Sequence, residues 1–136
     1  MADPIWISGT IAQFIHDDQI AAHGGAYGLL NAGMLESALG RPQNLYSHQQ
    51  ADLFSLAAAY GYGIAKNHAF IDGNKRTAFM VMFTFLQVNG WRLIVPEPEV
   101  VVTMQRLADG IVTESLLADW LRENSTGSFP QSPGSA

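Results

Sequence analysis

The chain has no cysteine among its 136 residues, so it can form neither a disulfide bond nor a thiolate metal site. The absence of cysteine is compatible with a reducing compartment, and we expect a cytoplasmic protein. Charged residues are also scarce, at 14% of the sequence, while 48% of the residues are hydrophobic. This length and composition predict one domain whose apolar core holds it together without cross-links.

Long hydrophobic runs and an excess of positive charge are both absent. The longest apolar run, residues 78–86, is much shorter than the roughly 20 residues of a membrane-spanning helix. Residues 1–10 lack the basic start and apolar centre of a signal peptide. The formal net charge of −5 argues against general binding to nucleic acids. We therefore expect neither a membrane nor a nucleic acid among the partners.

Most of the sequence has the periodicity of helices, and β-branched alternating runs are few. Helices are predicted, in chain order, over about 9–22, 49–66, 74–89, 98–108 and 114–123. The helices over 49–66 and 74–89 are the most apolar and are expected to form a central two-helix hairpin. The predicted fold is therefore all-α, a helical bundle around that hairpin, in a single domain of residues 1–123.

Three segments depart from the long helical pattern. Residues 34–39 predict a short helix that stops near Gly40 and Pro42, because glycine and proline disfavour helix interiors. The sequence WRLIV at 91–95 is the one candidate strand. Residues 124–136 are rich in serine, glycine and proline and predict a disordered tail.

A dense polar cluster occupies the connection of the predicted hairpin. Residues 66–76 read KNHAFIDGNKR, although no charged residue occurs in 53–65 or 77–88. A helix that starts at Asn74 presents unpaired backbone N–H groups in its first turn, and such groups bind anions. The lack of a side chain on Gly73 leaves room for a phosphate group there. Arg76 offers a planar pair of donors, Lys75 adds a cation, and the Asn74 amide can also donate.

Two further residues make this connection a candidate phosphoryl-transfer site. Asp72 supplies the kind of hard oxygen ligand that suits a Mg²⁺ ion bridging phosphates. His68 could accept the proton of an incoming hydroxyl. A base, a metal ligand and an anion site within nine residues predict phosphoryl or nucleotidyl transfer. Taken singly, the same residues also suit a capped turn, with His68 at the end of one helix and Asp72 before the next.

The sequence HAFIDGNKRTA at 68–78 resembles the signature of the Doc branch of the Fic/Doc family, roughly H-x-F-x-D/N-A/G-N-K-R-T. Residues 27–44 and 85–93 resemble the family segments before and after this signature, so the resemblance covers about 20–123. It implies the all-α Fic/Doc helical bundle. It also implies roles by position: catalytic for His68, Asp72 and Arg76; metal-binding for Asp72; and nucleotide-binding for Gly73, Asn74, Lys75, Arg76 and, less directly, Lys66.

The signature departs from that of the adenylylating Fic enzymes, H-P-F-x-x-G-N-G-R-x-x-R. Ala69 replaces the proline, Lys75 the second glycine and Phe79 the final arginine. The resemblance therefore implies a Doc-type kinase that uses ATP and Mg²⁺ and transfers the γ-phosphate to a threonine or serine of elongation factor Tu. The alternatives are a Fic-type adenylyltransferase of a protein hydroxyl and a binding module without activity. Intact His68 and Asp72 count against the last.

The resemblance also implies a biological context. Doc proteins are toxins of bacterial toxin–antitoxin pairs, and we expect an antitoxin whose disordered tail folds on binding. The glycine-rich segment GGAYG at 24–28 lacks the Lys-Ser/Thr of a phosphate loop, and we interpret it either as a flap beside His68 or as an ordinary loop. His16, Asp17 and Asp18 are adjacent on a helix and face different directions, so we do not expect them to bind a metal.

Overall fold

The structure is a computed structural model and describes residues 3–127. In this part the chain forms six helices: α1 Gly9–His23, α2 Ala32–Gln49, α3 Leu53–Asn67, α4 Asn74–Val88, α5 Glu97–Ala108 and α6 Glu114–Glu123. Two short strands, β1 Arg92–Leu93 and β2 Ser125–Thr126, pair antiparallel. The predicted all-α fold is confirmed, and the bounds of α1, α4, α5 and α6 agree closely with those predicted. No helix in the range 3–127 is long and apolar enough to cross a membrane.

Helices α3 and α4 form the central hairpin that the apolar pattern predicts, and α2 and α6 also pack on α3. Small residues make this packing close. A Cβ atom added to Gly61 of α3 would overlap the sulfur of Met82 in α4. On another face, a Cβ on Gly63 would lie 3.1 Å from the Cα of Ala38 in α2. The hairpin therefore fixes the positions of the two residues that flank its connection, Asn67 and Asn74.

The prediction that a short helix stops near Gly40 and Pro42 is wrong, because α2 continues to Gln49. A proline inside a helix costs about 3 kcal/mol through a lost hydrogen bond and a clash. Tertiary packing outweighs that cost here: Pro42 is itself buried, and the Arg41 side chain donates to Ala59 O of α3 at 3.0 Å. The start of α3 is also later than predicted, since Asp52 caps the helix by accepting from Ser55 N at 2.9 Å.

The predicted strand and tail meet in the small ribbon of β1 and β2. Only Arg92 and Leu93 of the WRLIV segment are in strand β1. Their partners are Thr126 and Ser125, which the sequence places in a disordered tail. Ser125 Oγ also donates to Leu121 O at 2.7 Å. The ordered chain thus extends past the predicted boundary at 123, while residues 128–136 of the predicted tail lie outside the described range.

Tyr60 ties the segment before α1 to the centre of the bundle. Its side chain is fully buried in α3, and its hydroxyl accepts a hydrogen bond from Ile7 N at 2.9 Å. Burial raises the pKa of Tyr60 to about 12, because the phenolate would have to lose its hydration. This contact fixes the position of the chain just before α1. Helix α1 in turn lies under the connection between α3 and α4.

Candidate active site

The connection between α3 and α4, residues 68–73, is a tight loop with a left-handed residue at each end. His68 ends α3 with φ of 50° and ψ of 49°, and Gly73 precedes α4 with φ of 73° and ψ of 21°. A left-handed conformation is uncommon for a residue with a side chain and is a feature of functional sites. Between the two, Phe70 is only 2% exposed and anchors the loop in the core. The side chain of His68 is left at the surface.

Asn74 closes this loop through its side chain. Its Oδ1 accepts from Phe70 N at 3.1 Å and its Nδ2 donates to Phe70 O at 2.9 Å. Its Nδ2 also lies 3.5 Å from His68 Nδ1, at the limit of a hydrogen bond. Asn74 is 6% exposed, so its amide is occupied within the loop, and its backbone N–H is what it offers to an anion.

The first turn of α4 leaves backbone donors unpaired. The helix has no side-chain cap, and the first N–H bonded within it is that of Thr77, which donates to Gly73 O at 3.0 Å. Among the described residues, the N–H groups of Asn74, Lys75 and Arg76 have no backbone acceptor. Unpaired donors at a helix N-terminus, together with the helix dipole, form a binding site for phosphate.

Asp72 lies directly before this anion site and is exposed. Its carboxylate accepts from Ala26 N at 3.2 Å and from Gly73 N at 3.0 Å. These two hydrogen bonds lower the pKa of Asp72, with smaller contributions from the nearby Arg76 and His16. The carboxylate is therefore ionised at neutral pH, as a metal ligand must be.

A Mg²⁺ ion fits this arrangement of donors. Within residues 3–127, no group of three or more histidine, aspartate or glutamate side chains could hold a metal ion by itself. An ion at Asp72 would depend on one carboxylate, water and the phosphates of a ligand. Mg²⁺ binds in this way, keeping several waters and using one or two carboxylates plus substrate phosphates.

Arg76 borders the same site with part of its guanidinium free. Its Nη2 donates to Gly24 O at 3.0 Å. Its Nε is buried and has no hydrogen-bond partner in the described part of the chain. Because an unpaired buried donor is costly, a phosphate oxygen that reached it would relieve that cost.

Residues 24–31 lie along the loop, and the two interpretations of the glycine-rich segment, a flap beside His68 or an ordinary loop, both stay predictions. Leu29 and Phe70 form an antiparallel bridge, with Ile71 N donating to Gly28 O at 3.0 Å. Glycine suits position 25 beside Asp72, because its φ of 117° is one that residues with a side chain rarely adopt and an added Cβ would lie 2.8 Å from Asp72 Oδ2. The large side chains of Tyr27, Leu30 and Ile71 are exposed along this edge.

Lys66 does not join the other predicted site residues. Its ammonium group donates to Ala108 O at the end of α5, at 3.3 Å, and lies 5.8 Å from the centre of the Tyr62 ring. In the range 3–127 it makes no hydrogen bond to residues 68–76. The expected contact of Lys66 with nucleotide or target therefore stays a prediction, whereas residues 68, 72, 73, 74, 75 and 76 are brought together.

A groove of about 540 Å³ opens beside the first turns of α4. Lys75 and Arg76 lie on its wall, and its other lining residues are mostly apolar, including Phe79, Phe83, Val101 and Met104. Phe79 packs edge-on against Trp120 at 6.4 Å between ring centres. The position that carries an arginine in the adenylylating Fic signature is thus part of an apolar wall.

Sequence reasoning considered His16 only as a metal ligand and missed its position under the loop. Its side chain is 1% exposed, and its Nε2 is 2.7 Å from Asp72 O. The buried residues of α1 are Ala12, His16 and Ile20, spaced four apart, whereas the apolar Ile11 and Phe14 are exposed. The i, i+4, i+8 spacing of these three residues could have predicted the buried face of α1, but the apolar residues that are exposed favoured a different face.

The same chain is similar to known proteins across this region. A family model described as the Fic/DOC family matches residues 6–86. The chain is 35% identical over 109 residues to "Protein kinase doc" of Escherichia phage P1, covering 79% of this chain and 86% of that protein. It is 42% identical over 74 residues to "Toxin Doc" of Mycolicibacterium smegmatis, covering 53% of this chain and 57% of that protein.

The family match includes all of α3, the loop and most of α4, which are the elements that build the site. It also includes α1, which supports the loop from below. The sequence signature, the helical bundle and the two relatives agree with one another. The chain therefore belongs to the Fic/Doc family, in its Doc branch.

Proposed function

We propose that this protein is the toxin of a bacterial toxin–antitoxin pair and acts as a Doc-type protein kinase. It transfers the γ-phosphate of ATP to a threonine, or a serine, of a translation factor, with elongation factor Tu as the expected target. The observation that carries the proposal is the grouping of His68, Asp72 and the first turn of α4 around one short loop. The names of the two relatives, one a protein kinase and one a toxin, support it.

His68 is the general base in this mechanism. Its exposed imidazole accepts the proton of the target hydroxyl while the hydroxyl oxygen forms a bond to the γ-phosphorus and the bond to the departing ADP breaks. The left-handed backbone at His68 turns the chain sharply after α3, so the side chain stands outside the core. Among the described residues, His68 Nε2 has no hydrogen-bond partner that would compete for the proton.

The first turn of α4 holds the phosphate. The backbone N–H groups of Asn74, Lys75 and Arg76 donate to phosphate oxygens, and the Arg76 guanidinium adds positive charge. Asp72 would hold Mg²⁺, which when bound neutralises negative charge on the phosphate oxygens. The Asn74 side chain keeps the loop closed through its two bonds to Phe70.

Phe79 and Lys75 favour transfer of the γ-phosphate over transfer of an adenylate group. Phe79 lies in the apolar wall of the groove, where it offers no donor to the distal phosphates of ATP. A hydrogen bond to a charged group is worth about 1.5–3 kcal/mol, so its loss disfavours the adenylylating orientation by about 10- to 100-fold. Lys75 further places a long charged side chain where the adenylylating signature has glycine.

Isotope transfer tests this proposal. The protein is incubated with Mg²⁺, elongation factor Tu and ATP labelled at either the γ- or the α-phosphate. We expect label on the target from γ-labelled ATP and none from α-labelled ATP. Transfer from the α position would instead show an adenylyltransferase. In a parallel incubation with cell lysate, labelling of a different protein from γ-labelled ATP would support the kinase activity and change the target.

We also propose that the groove beside α4 binds the antitoxin tail that the family resemblance implies. The wall of the groove is mostly apolar, which suits the apolar face of a segment that folds into an amphipathic helix on binding. The groove also reaches Lys75 and Arg76 of the site. A tail seated there would cover the phosphate site. Val101 lines the groove and is 62% exposed, while its neighbour Val102 does not line it.

This pair of valines provides a matched test. Val101→Asp should weaken rescue of growth by the antitoxin, because it places a charge in the apolar groove, and should leave kinase activity near the wild-type level. Val102→Asp, on the same helix and also exposed, is the control and should be rescued normally. Equal rescue of both variants would place the antitoxin elsewhere on the toxin.

A further inference from the structure

His16 is a buried polar residue that the proposed chemistry does not use. It lies in the buried stripe of α1, and both of its main contacts are with the loop that carries the site. Its Nε2 is 2.7 Å from the backbone oxygen of Asp72. Because a carbonyl oxygen can only accept, Nε2 carries the proton of this hydrogen bond. The imidazole also stacks on the Phe70 ring, with centres 3.9 Å apart and planes 7° from parallel.

These contacts lie under the point where the metal ligand meets the phosphate site. A Cβ built on Gly73 would be 3.8 Å from His16 Nε2, so the imidazole is directly beneath the Asp72–Gly73 peptide. The orientation of that peptide sets the direction of the Asp72 carboxylate and the left-handed conformation of Gly73, which precedes α4. The stack acts on Phe70, whose backbone N–H and oxygen hold the Asn74 side chain.

A buried histidine can also be only a satisfied core residue. In that case the hydrogen bond would only satisfy a buried polar atom, and loss of His16 would lower stability evenly across the bundle. Here the only hydrogen bond recorded for its ring within residues 3–127 is the one to Asp72, since the contact with the Asp17 carboxylate is long at 3.7 Å. The contacts therefore concentrate on residues 70–73.

We propose that His16 is a positioning residue for the loop of residues 68–73, acting on Asp72 through a hydrogen bond and on Phe70 through its ring. It does not touch the substrate. The hydrogen bond fixes the Asp72–Gly73 peptide, and thus the metal ligand and the start of the phosphate site. The ring holds Phe70 in position. Because Phe70 holds the Asn74 side chain, and Asn74 lies beside His68, the ring also helps to set the position of His68. The proposal deepens the proposed kinase function and rests on it for its kinetic consequences.

Two substitutions separate the two contacts. His16→Phe keeps a flat ring to stack on Phe70 and removes the donor to Asp72. His16→Gln keeps an N–H donor within reach of Asp72 and removes the ring. His48→Gln is the control, because His48 is an exposed histidine of α2 outside the site. Each variant is measured for turnover, for KM of ATP at several Mg²⁺ concentrations, and for thermal unfolding.

We expect His16→Phe to lower kcat/KM by about 10- to 100-fold, the range that misplacement of a catalytic group by about 1 Å produces. Part of the loss should appear as a higher KM for Mg²⁺-ATP, because His16 no longer holds the Asp72–Gly73 peptide that orients the Asp72 carboxylate. His16→Gln should recover much of that binding, and His48→Gln should match the wild type. Wild-type KM and turnover in a folded His16→Phe variant would overturn the proposal.

Backbone hydrogen exchange tests the same idea without depending on the reaction. In His16→Phe, amide exchange should increase in residues 70–76 and remain unchanged in the middle of α3. Uniform acceleration across the bundle would show a purely structural histidine. If the wild type transfers no phosphate, the proposed function fails, while localised exchange in the variant would still support positioning by His16.

Discussion

Gly73 is the residue at which the geometry of the site makes the sharpest quantitative prediction. Its φ of 73° is left-handed, which costs a residue with a Cβ about 1–2 kcal/mol. A Cβ at this position would also lie 3.0 Å from Ile20 Cδ1 and 3.3 Å from Arg76 Nη2. Gly73→Ala should therefore lower the free energy of unfolding and also displace the Arg76 guanidinium from the phosphate site.

The expected functional loss follows from that displacement. Loss of one charge-assisted hydrogen bond to phosphate costs about 1.5–3 kcal/mol, which corresponds to about a 10- to 100-fold rise in KM for ATP. Gly110→Ala is a matched control, because Gly110 also has a positive φ, of 82°, but its added Cβ would meet nothing within 4 Å. Gly110→Ala should lower the free energy of unfolding by about the same amount through backbone strain, and it should keep the wild-type kinetic constants.

Urea unfolding measures the stability of both variants, and steady-state kinetics at saturating target measures KM for ATP. The reasoning would be refuted if Gly73→Ala lost stability like Gly110→Ala yet kept the wild-type KM. It would also be refuted if Gly110→Ala lost ATP affinity to the same extent, because backbone strain alone would then account for the effect.

Three further predictions concern stability. Tyr60→Phe leaves the buried Ile7 N–H without its acceptor and should lower the free energy of unfolding by about 1–3 kcal/mol in urea titrations. The pKa of Tyr60 is raised to about 12 in the folded protein, so folding favours the neutral hydroxyl. The stability that this gives is fully present below the ordinary tyrosine pKa of about 10. That contribution is lost as the pH rises from there through 12, and Tyr60→Phe should lack this alkaline loss. Burial raises the pKa of Asp52, but hydrogen bonds from Ser55 and Arg122 outweigh it and the pKa is lowered overall. Asp52 therefore contributes stability above about pH 4 that disappears as the pH falls through its lowered pKa, so Asp52→Asn should flatten this part of a thermal-unfolding profile. Thr113→Ala removes the cap that accepts from Leu116 N at 3.1 Å and should cost about 1 kcal/mol, measured by urea unfolding; an unchanged midpoint would exclude the cap.

The elements that the sequence predicts well are those set by local chemistry. The loop and the start of α4 follow from glycine at 73 and from the change between apolar and polar segments. The start of α6 at Glu114 is likewise local, since Thr113 caps it by accepting from Leu116 N. Helix α2 could not be bounded in this way, because burial of Pro42 and the bond from Arg41 to Ala59 are tertiary interactions that override the local effect of proline.

The same distinction explains the candidate site. Residues 68–76 are contiguous, so their grouping can be predicted from the sequence alone. The part played by His16 depends on a contact with a residue 56 positions away, and no local pattern encodes it. The occupation of the Asn74 amide by Phe70, and the contact of Lys66 with Ala108, also depend on backbone conformation and packing that the sequence pattern does not specify.

The central claim is that His68 activates a target hydroxyl for attack on the γ-phosphate of ATP. Intact-mass analysis of elongation factor Tu, after incubation with Mg²⁺-ATP and either wild-type protein or folded His68→Asn, tests it most directly. The wild type should add one phosphate to a threonine or serine, and His68→Asn should do so about 10²- to 10⁴-fold more slowly, the usual contribution of a general base. An adenylate mass on the target, or equal rates for the two proteins, would contradict the account.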